Sequence, residues 1–340
     1  MYSPDGAHLR ELAQKPLLAF DSEKDFETQK AEITQKLSEL LGRMPKKVPL
    51  NPTVEYVKEQ DTFTEYRISF DTEEDVRAVC LLCIPKQKRE KYPLCIVLQG
   101  HVTGMHASMG RKLYESDTPE SGDRDIALQA LARGYAALCI DQRGMGERRT
   151  ELIQESQKND EGKPRCQVTA MQALMLGRTL IGERVWDVSR AIDLALTYPE
   201  IDGDKIMCTG NSGGGTATYY AACMEPRIKV AMPSCSVCTF RHSLGIIKHC
   251  TCNFIPHIAR YMDMGDMAAA IAPRKLVIVN GRKDNIFLHE GVLETFETVK
   301  SIYKSAGVPQ NCALATGDEG HRYYKDAAWK AFDEVTKCGW

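Results

Sequence analysis

The segment 205–215, KIMCTGNSGGG, constrains this chain more than any other. A short apolar run, Ile206, Met207 and Cys208, leads into Gly210-Asn211-Ser212-Gly213-Gly214, and residues 216–223 then read as a helix rich in small side chains. Strand, tight turn and helix place a serine at the apex. Glycine two positions before and two after lets strand and helix approach closely, while strain in the serine backbone points its hydroxyl outward. The bare G-x-S-x-G pattern also punctuates ordinary loops, so it is the flanking strand and helix that make Ser212 a candidate nucleophile. A phosphate cradle fits worse: no Lys followed by Ser or Thr closes the glycine run, and the spacing is not G-x-G-x-x-G.

Such a bend needs a sheet around it, and the rest of the chain supplies one. Between residues 54 and 84 the runs VEYVKE, FTEYRISF and VRAVCLLCIP are rich in β-branched and aromatic residues and read as antiparallel strands. Residues 94–98, 135–140, 205–209, 228–232, 275–279 and 312–316 are short strands, several apolar on both faces as a covered parallel strand must be. Amphipathic helical patterns over 184–197, 292–303 and 324–335 alternate with them, which predicts a doubly wound α/β sheet. Two long irregular segments, about 141–182 and 233–272, leave strand ends and read as insertions where such sheets bind ligands. Residues 1–50 form a helical extension ahead of a main domain over 51–340. In it Ser22-x-x-Asp25 resembles a capping box, and Phe26, Ile33, Leu37, Leu40 and Leu41 keep helical spacing up to Gly42. That helix could pack on the main domain or on a second subunit.

Composition narrows the partners. A formal net charge of -2 argues against nucleic acid or an anionic membrane, and the basic stretch 86–91 reads as a solvated turn. The first residues lack a basic start followed by an apolar core, and nowhere do about eighteen apolar residues run together. Thirteen cysteines, an odd number, include Cys80, Cys83, Cys95, Cys139 and Cys208 inside apolar strand-like runs. They read as reduced thiols, so a cytoplasmic location is expected. A homo-oligomer is compatible with the apolar surface of the extension and insertions.

A serine hydroxyl needs a base and a group to orient that base. His321, in a Gly-rich loop between the last strand and last helix, is the natural base. His289 falls at a helix start, while His242, His249 and His257 fall in the second insertion, where surface or packing roles are expected. Asp284, in the turn after the strand 275–279, is the orienting acid in the chain order Ser212, Asp284, His321; Asp318, in the loop of His321, is the alternative. The backbone N–H of Gly213, and that of His101 in the QGHVTG loop after strand 94–98, are the candidate oxyanion donors.

With these residues in view, the chain from about 54 to 335 resembles the α/β-hydrolase family, in the branch of acetylxylan esterases, cephalosporin-C deacetylases and dienelactone hydrolases. The resemblance rests on Gln99-Gly100-His101, on Asp141-Gln142-Arg143-Gly144-Met145-Gly146, on Gly210-Asn211-Ser212-Gly213-Gly214, on Asp284 and on Gly320-His321. Those deacetylases typically carry Gln after the serine and Glu after the histidine, where this chain has Gly213 and Arg322. It implies an α/β-hydrolase fold and a serine esterase cleaving a small acyl group, most often acetyl, from a carbohydrate or similar alcohol, with no cofactor. A dienelactone-type or peptidase-type hydrolase on the same residues is the alternative, and a catalytically silent scaffold the reading from another class. Cys235-x-x-Cys238 and Cys250-x-Cys252, with His242 and His249 between them, have the elements of a zinc site. C-x-C suits a tetrahedral site less well than C-x-x-C, so these are read as packed thiols and no metal is expected.

Overall fold

The computed structural model describes residues 3–119, 121–152 and 160–337. Nine strands form one sheet: β1 (Thr53–Glu59), β2 (Phe63–Glu73), β3 (Val76–Pro85), β4 (Tyr92–Leu98), β5 (Ala136–Ile140), β6 (Ile201–Asn211), β7 (Ile228–Ser234), β8 (Lys275–Gly281) and β9 (Cys312–Gly317). The helices are α1 (Asp5–Leu12), α2 (Phe26–Leu41), α3 (Ile126–Ala132), α4 (Cys166–Met175), α5 (Leu180–Ala195), α6 (Gly213–Met224), α7 (Ile258–Tyr261), α8 (Met264–Met267), α9 (His289–Ser305) and α10 (Lys325–Thr336).

Spatial strand order is β1-β2-β3-β5-β4-β6-β7-β8-β9. The first three strands and β5 pair antiparallel, and from β5 to β9 every pairing is parallel. The antiparallel opening and parallel continuation expected from the strand patterns are both present. Side-chain alternation along β4 builds the two layers. Leu94, Ile96 and Leu98 enter a core shared with α2, α5, α6 and α9, while Cys95 and Val97 enter the opposite core under α3 and α10. Covering both faces is what makes the middle strands apolar throughout.

Three details differ from the sequence expectation. The cap of α2 is Asp25, whose carboxylate accepts from Thr28 N–H at 2.8 Å, and not Ser22. This helix buries Ile33, Leu37 and Leu41 in the core of the sheet domain, which is the first of the two packings left open by the sequence. Helix α5 starts a turn before residue 184, because the Thr179 hydroxyl accepts from Gly182 N–H at 3.0 Å. The segments taken as irregular hold α4 in the first insertion and α7 and α8 in the second. Helices α1 and α3 also went unread. The twelve described cysteines are free thiols, and no helix among the described residues is long and apolar enough to cross a membrane.

Candidate active site

The sheet delivers Ser212 to the C-terminal edge of its central strands. Residues 206–210 of β6 pair in parallel register with Leu94–Leu98 of β4, the chain turns at Asn211 and Ser212, and α6 begins at once. Ser212 has φ 57° and ψ -122°, a conformation that costs an L-residue of order 1–3 kcal/mol and persists because its surroundings fix it. Its N–H donates to Ser234 O at 2.9 Å and its carbonyl accepts from Thr216 N–H at 2.8 Å. The flanking glycines are required by contact: a Cβ at Gly214 would lie 1.9 Å from Leu98 O, and one at Gly210 would lie 2.3 Å from the same oxygen. The strained bend anticipated from the motif is thus formed.

His321 and Asp284 are brought together from loops 37 residues apart. His321 Nδ1 and Asp284 Oδ2 are 2.8 Å apart, and the Asp284 side chain is wholly buried. Burial opposes charge on that carboxyl, but the His321 hydrogen bond and the N–H groups of Ile286 (2.8 Å) and Phe287 (3.1 Å) outweigh it and hold its pKa below the usual range. Tyr324 donates to Gly320 O at 2.5 Å, pinning the backbone before His321, and the Phe287 ring stacks 6.0 Å from the imidazole. The free ring nitrogen, Nε2, is buried without a hydrogen-bond partner and borders the same cleft as Ser212. Asp318 does not take the acid's place: its side chain is 91% exposed and faces Arg282.

The cleft, about 320 Å³, is floored by Ser212, Gly213 and His321 and walled by the loop after β4 and by 248–253 of the second insertion. The β4 loop presses on the bend. A Cβ at Gly100 would lie 3.1 Å from Ser212 Cβ, and one at Gly213 would lie 2.6 Å from Cε1 of the His101 ring. Any side chain at position 213 would therefore meet the His101 imidazole as it is placed here. Behind the loop, Asp141 accepts from Met105 N–H (2.6 Å), Glu147 N–H (2.9 Å) and Gln99 Nε2 (3.0 Å), with burial pushing its pKa up to about 6. Arg143 grips Asp187 with two 2.9 Å bonds and also reaches Glu73 and Glu183. The D-x-R-G-x-G motif is thus a buried brace for the cleft's wall.

Sequence reasoning missed two neighbours of the cleft. His249, assigned to surface or packing, lines the cleft with its Nε2 buried and unpartnered, its ring 5.0 Å from Phe287, and burial lowers its pKa. Cys235, at the end of β7, lies against Asp284 and His321 and donates to Arg322 O at 3.1 Å; burial pushes its pKa up to about 12, so it stays a thiol. The four cysteines considered together as a zinc site fall into three surroundings. Cys235 lies by Asp284, Cys238 faces the carbonyls of His242 and Leu288, and only Cys250 and Cys252 come together, joined by Cys166 and His101. A long-range pairing of this kind leaves no signal in sequence spacing.

A mostly parallel sheet carrying a serine on a strained strand-to-helix bend, with a histidine and a buried carboxylate on later loops, defines an α/β-hydrolase. Residues 22–266 match the model of the acetyl xylan esterase (AXE1) family, and the chain belongs to that family of carbohydrate esterases, which are carboxylic ester hydrolases. The matched stretch contains Ser212 but ends before Asp284 and His321. YtaP of Bacillus subtilis (strain 168) is 23% identical over 299 residues, 86% of this chain and 94% of its own. Among solved structures, a "putative acetyl xylan esterase" from Bacteroides fragilis NCTC 9343 superposes with a TM-score of 0.78 at 16% identity, covering 96% of this chain and 84% of that one. The glucuronoyl esterase from Solibacter usitatus superposes with a TM-score of 0.70 at 16% identity, over 96% and 98%.

Proposed function

We propose that this chain is a serine esterase that removes a small acyl group, acetyl foremost, from a carbohydrate through an acyl-enzyme on Ser212. The observation that carries the reading is the His321 imidazole, fixed through Nδ1 by Asp284 at 2.8 Å while its buried Nε2 is left without a partner on the cleft that Ser212 shares. In the reaction Nε2 takes the Ser212 proton as the hydroxyl attacks the ester carbonyl. It then protonates the departing sugar hydroxyl and activates water for the second step. Asp284 keeps the proton on Nδ1 and stabilises the imidazolium formed in each step. The backbone N–H groups of Gly213 and His101 receive the oxyanion. No Ser212 to His321 hydrogen bond is formed here, and catalytic contacts of this kind commonly tighten only when substrate is bound.

A second substrate reading has its own support. Arg124 and Lys248 line the cleft, and two cations there suit a substrate that carries a free carboxylate besides its ester. Rates on acetylated xylo-oligosaccharides, glucuronoyl esters, lactones and aminoacyl anilides rank these possibilities. The decisive variant is Ser212→Ala. It should lower acetate release by roughly 10⁴-fold or more and abolish labelling by a fluorophosphonate, with an unchanged circular dichroism spectrum. Undiminished hydrolysis by a folded Ser212→Ala protein refutes the assignment.

A further inference from the structure

Beside the cleft, His101, Cys166, Cys250 and Cys252 place four ligand atoms within 4.8 Å of one another. His101 follows β4, Cys166 opens α4 in the first insertion, and in the second Cys250 caps a helical turn, Thr251–Asn253, that contains Cys252. His101 Nε2 lies 3.1 Å from Cys252 Sγ, and Cys166 and Cys252 are buried at 2% and 1% exposure.

Arg184 supplies an independent observation. Its side chain, on α5, is 1% exposed, donates from Nε and Nη2 to Arg143 O, and reaches Cys166 Sγ from Nη2 at 3.2 Å, while Nη1 is buried without a partner. Among the described residues it forms no ion pair with a carboxylate. An isolated guanidinium out of water is costly unless a counter-charge lies beside it. Among the described residues, the groups beside it that can carry such a charge are the thiols of Cys166 and Cys252.

We propose that these four side chains bind one zinc ion, with three thiolates and His101 Nε2 as ligands. Tetrahedral zinc has Zn–S near 2.3 Å and Zn–N near 2.0–2.1 Å, which sets donor atoms about 3.5–3.8 Å apart, so side-chain adjustments of up to about 1 Å close the site. Three thiolates and a neutral imidazole around Zn²⁺ carry a net charge of -1, which the Arg184 guanidinium neutralises. All four positions are filled by protein, so the site is structural and offers no place for an activated water. Its effect is to tie both insertions to the β4 loop at the residue whose ring packs on Gly213. Binding releases three thiol protons to solvent, with no change of oxidation state.

The test is metal analysis of the full chain purified under reducing conditions without chelator. About one zinc per chain is expected, falling roughly tenfold or more in Cys166→Ser and in Cys252→Ser and remaining in Cys312→Ser, whose cysteine lies far from the cluster. Protein grown on cobalt should show thiolate-to-cobalt charge-transfer bands and the intense visible bands of a tetrahedral site. This arm needs no variant to fold. Zinc removal should lower the melting temperature, and restored zinc should return it. Wild-type protein that takes up no zinc or cobalt while its thiols count as free, or in which peptide mapping finds a disulfide among the three cysteines, overturns the proposal. Either result leaves the serine mechanism untouched, because neither readout is activity.

Discussion

Two buried carboxylates brace the loops around the cleft, and they are held in opposite ways. Asp284, after β8, faces the imidazole that becomes cationic in the proposed mechanism, and its hydrogen bonds keep its pKa below the usual carboxylate range. Asp141, after β5, is surrounded mainly by neutral donors, two backbone N–H groups and the Gln99 amide, and burial pushes its pKa up to about 6. The first carboxylate is built to be charged beside a proton carrier. The second is a splice that fastens the β4 loop to the turn after β5. Similar burial therefore serves two different ends, and the identity of the partner, cation or neutral dipole, decides which.

The largest way to break this contrast is Asp284→Asn. The amide reverses the polarity His321 needs and should cut kcat by roughly 10⁴-fold, with the fold retained and KM little changed, as steady-state kinetics would show. Next comes Gly213→Gln, which restores the residue usual in related deacetylases and drives a Cβ to 2.6 Å from the His101 ring. Displacing that loop should cost on the order of 10²-fold in kcat and about 1–3 kcal/mol of stability by chemical denaturation. Unaltered activity would mean the ring is free to move away.

Asp141→Asn should be milder in turnover, roughly ten- to a hundredfold through loss of loop position, and is most informative in its pH dependence. A carboxyl whose pKa is raised on folding contributes stability that is complete below its unfolded pKa, about 3.9, and is lost as pH rises through about 6. The advantage of wild type over Asp141→Asn should therefore shrink between pH 4 and 6. Asp284 has the opposite sign. Its contribution is present above the unfolded value and is lost as pH falls below about 4, so the advantage over Asp284→Asn should shrink on the acid side. Melting curves of the three proteins across that range check both signs, and parallel profiles would contradict the contrast. The smallest effect is expected from Asp318→Ala, within about twofold of wild-type kcat, because this exposed side chain touches only Arg282 among the described residues.

The parts that could be read in advance are those in which one short segment carries its own physics. Ser212 was legible because two glycines and an apolar run specify a strand-to-helix bend, and the parallel strands were legible because being covered on both faces leaves an uninterrupted apolar run. Helix α4 was not, since CQVTAMQALM buries only Cys166, Ala170 and Ala173 and shows little amphipathic pattern. The pairing of Asp284 with His321 followed from chain order in the related fold. The setting of His101 did not, because its neighbours come from residues 166, 213 and 252, which are adjacent only once both insertions have folded over the sheet. The expectation of no bound metal rested on C-x-C spacing within one insertion, and the zinc proposal revises it with ligands drawn from both insertions and the loop after β4.

Ser212 sits in a backbone conformation that glycine would adopt with less effort. At that position the interests of durability and of turnover diverge, because relaxing the bend would remove the hydroxyl that the bend exists to present. Heat tolerance in this chain must therefore be gathered elsewhere, from the packing of its two layers and from whatever clamps the insertions, rather than from the residue to which the proposed chemistry is assigned.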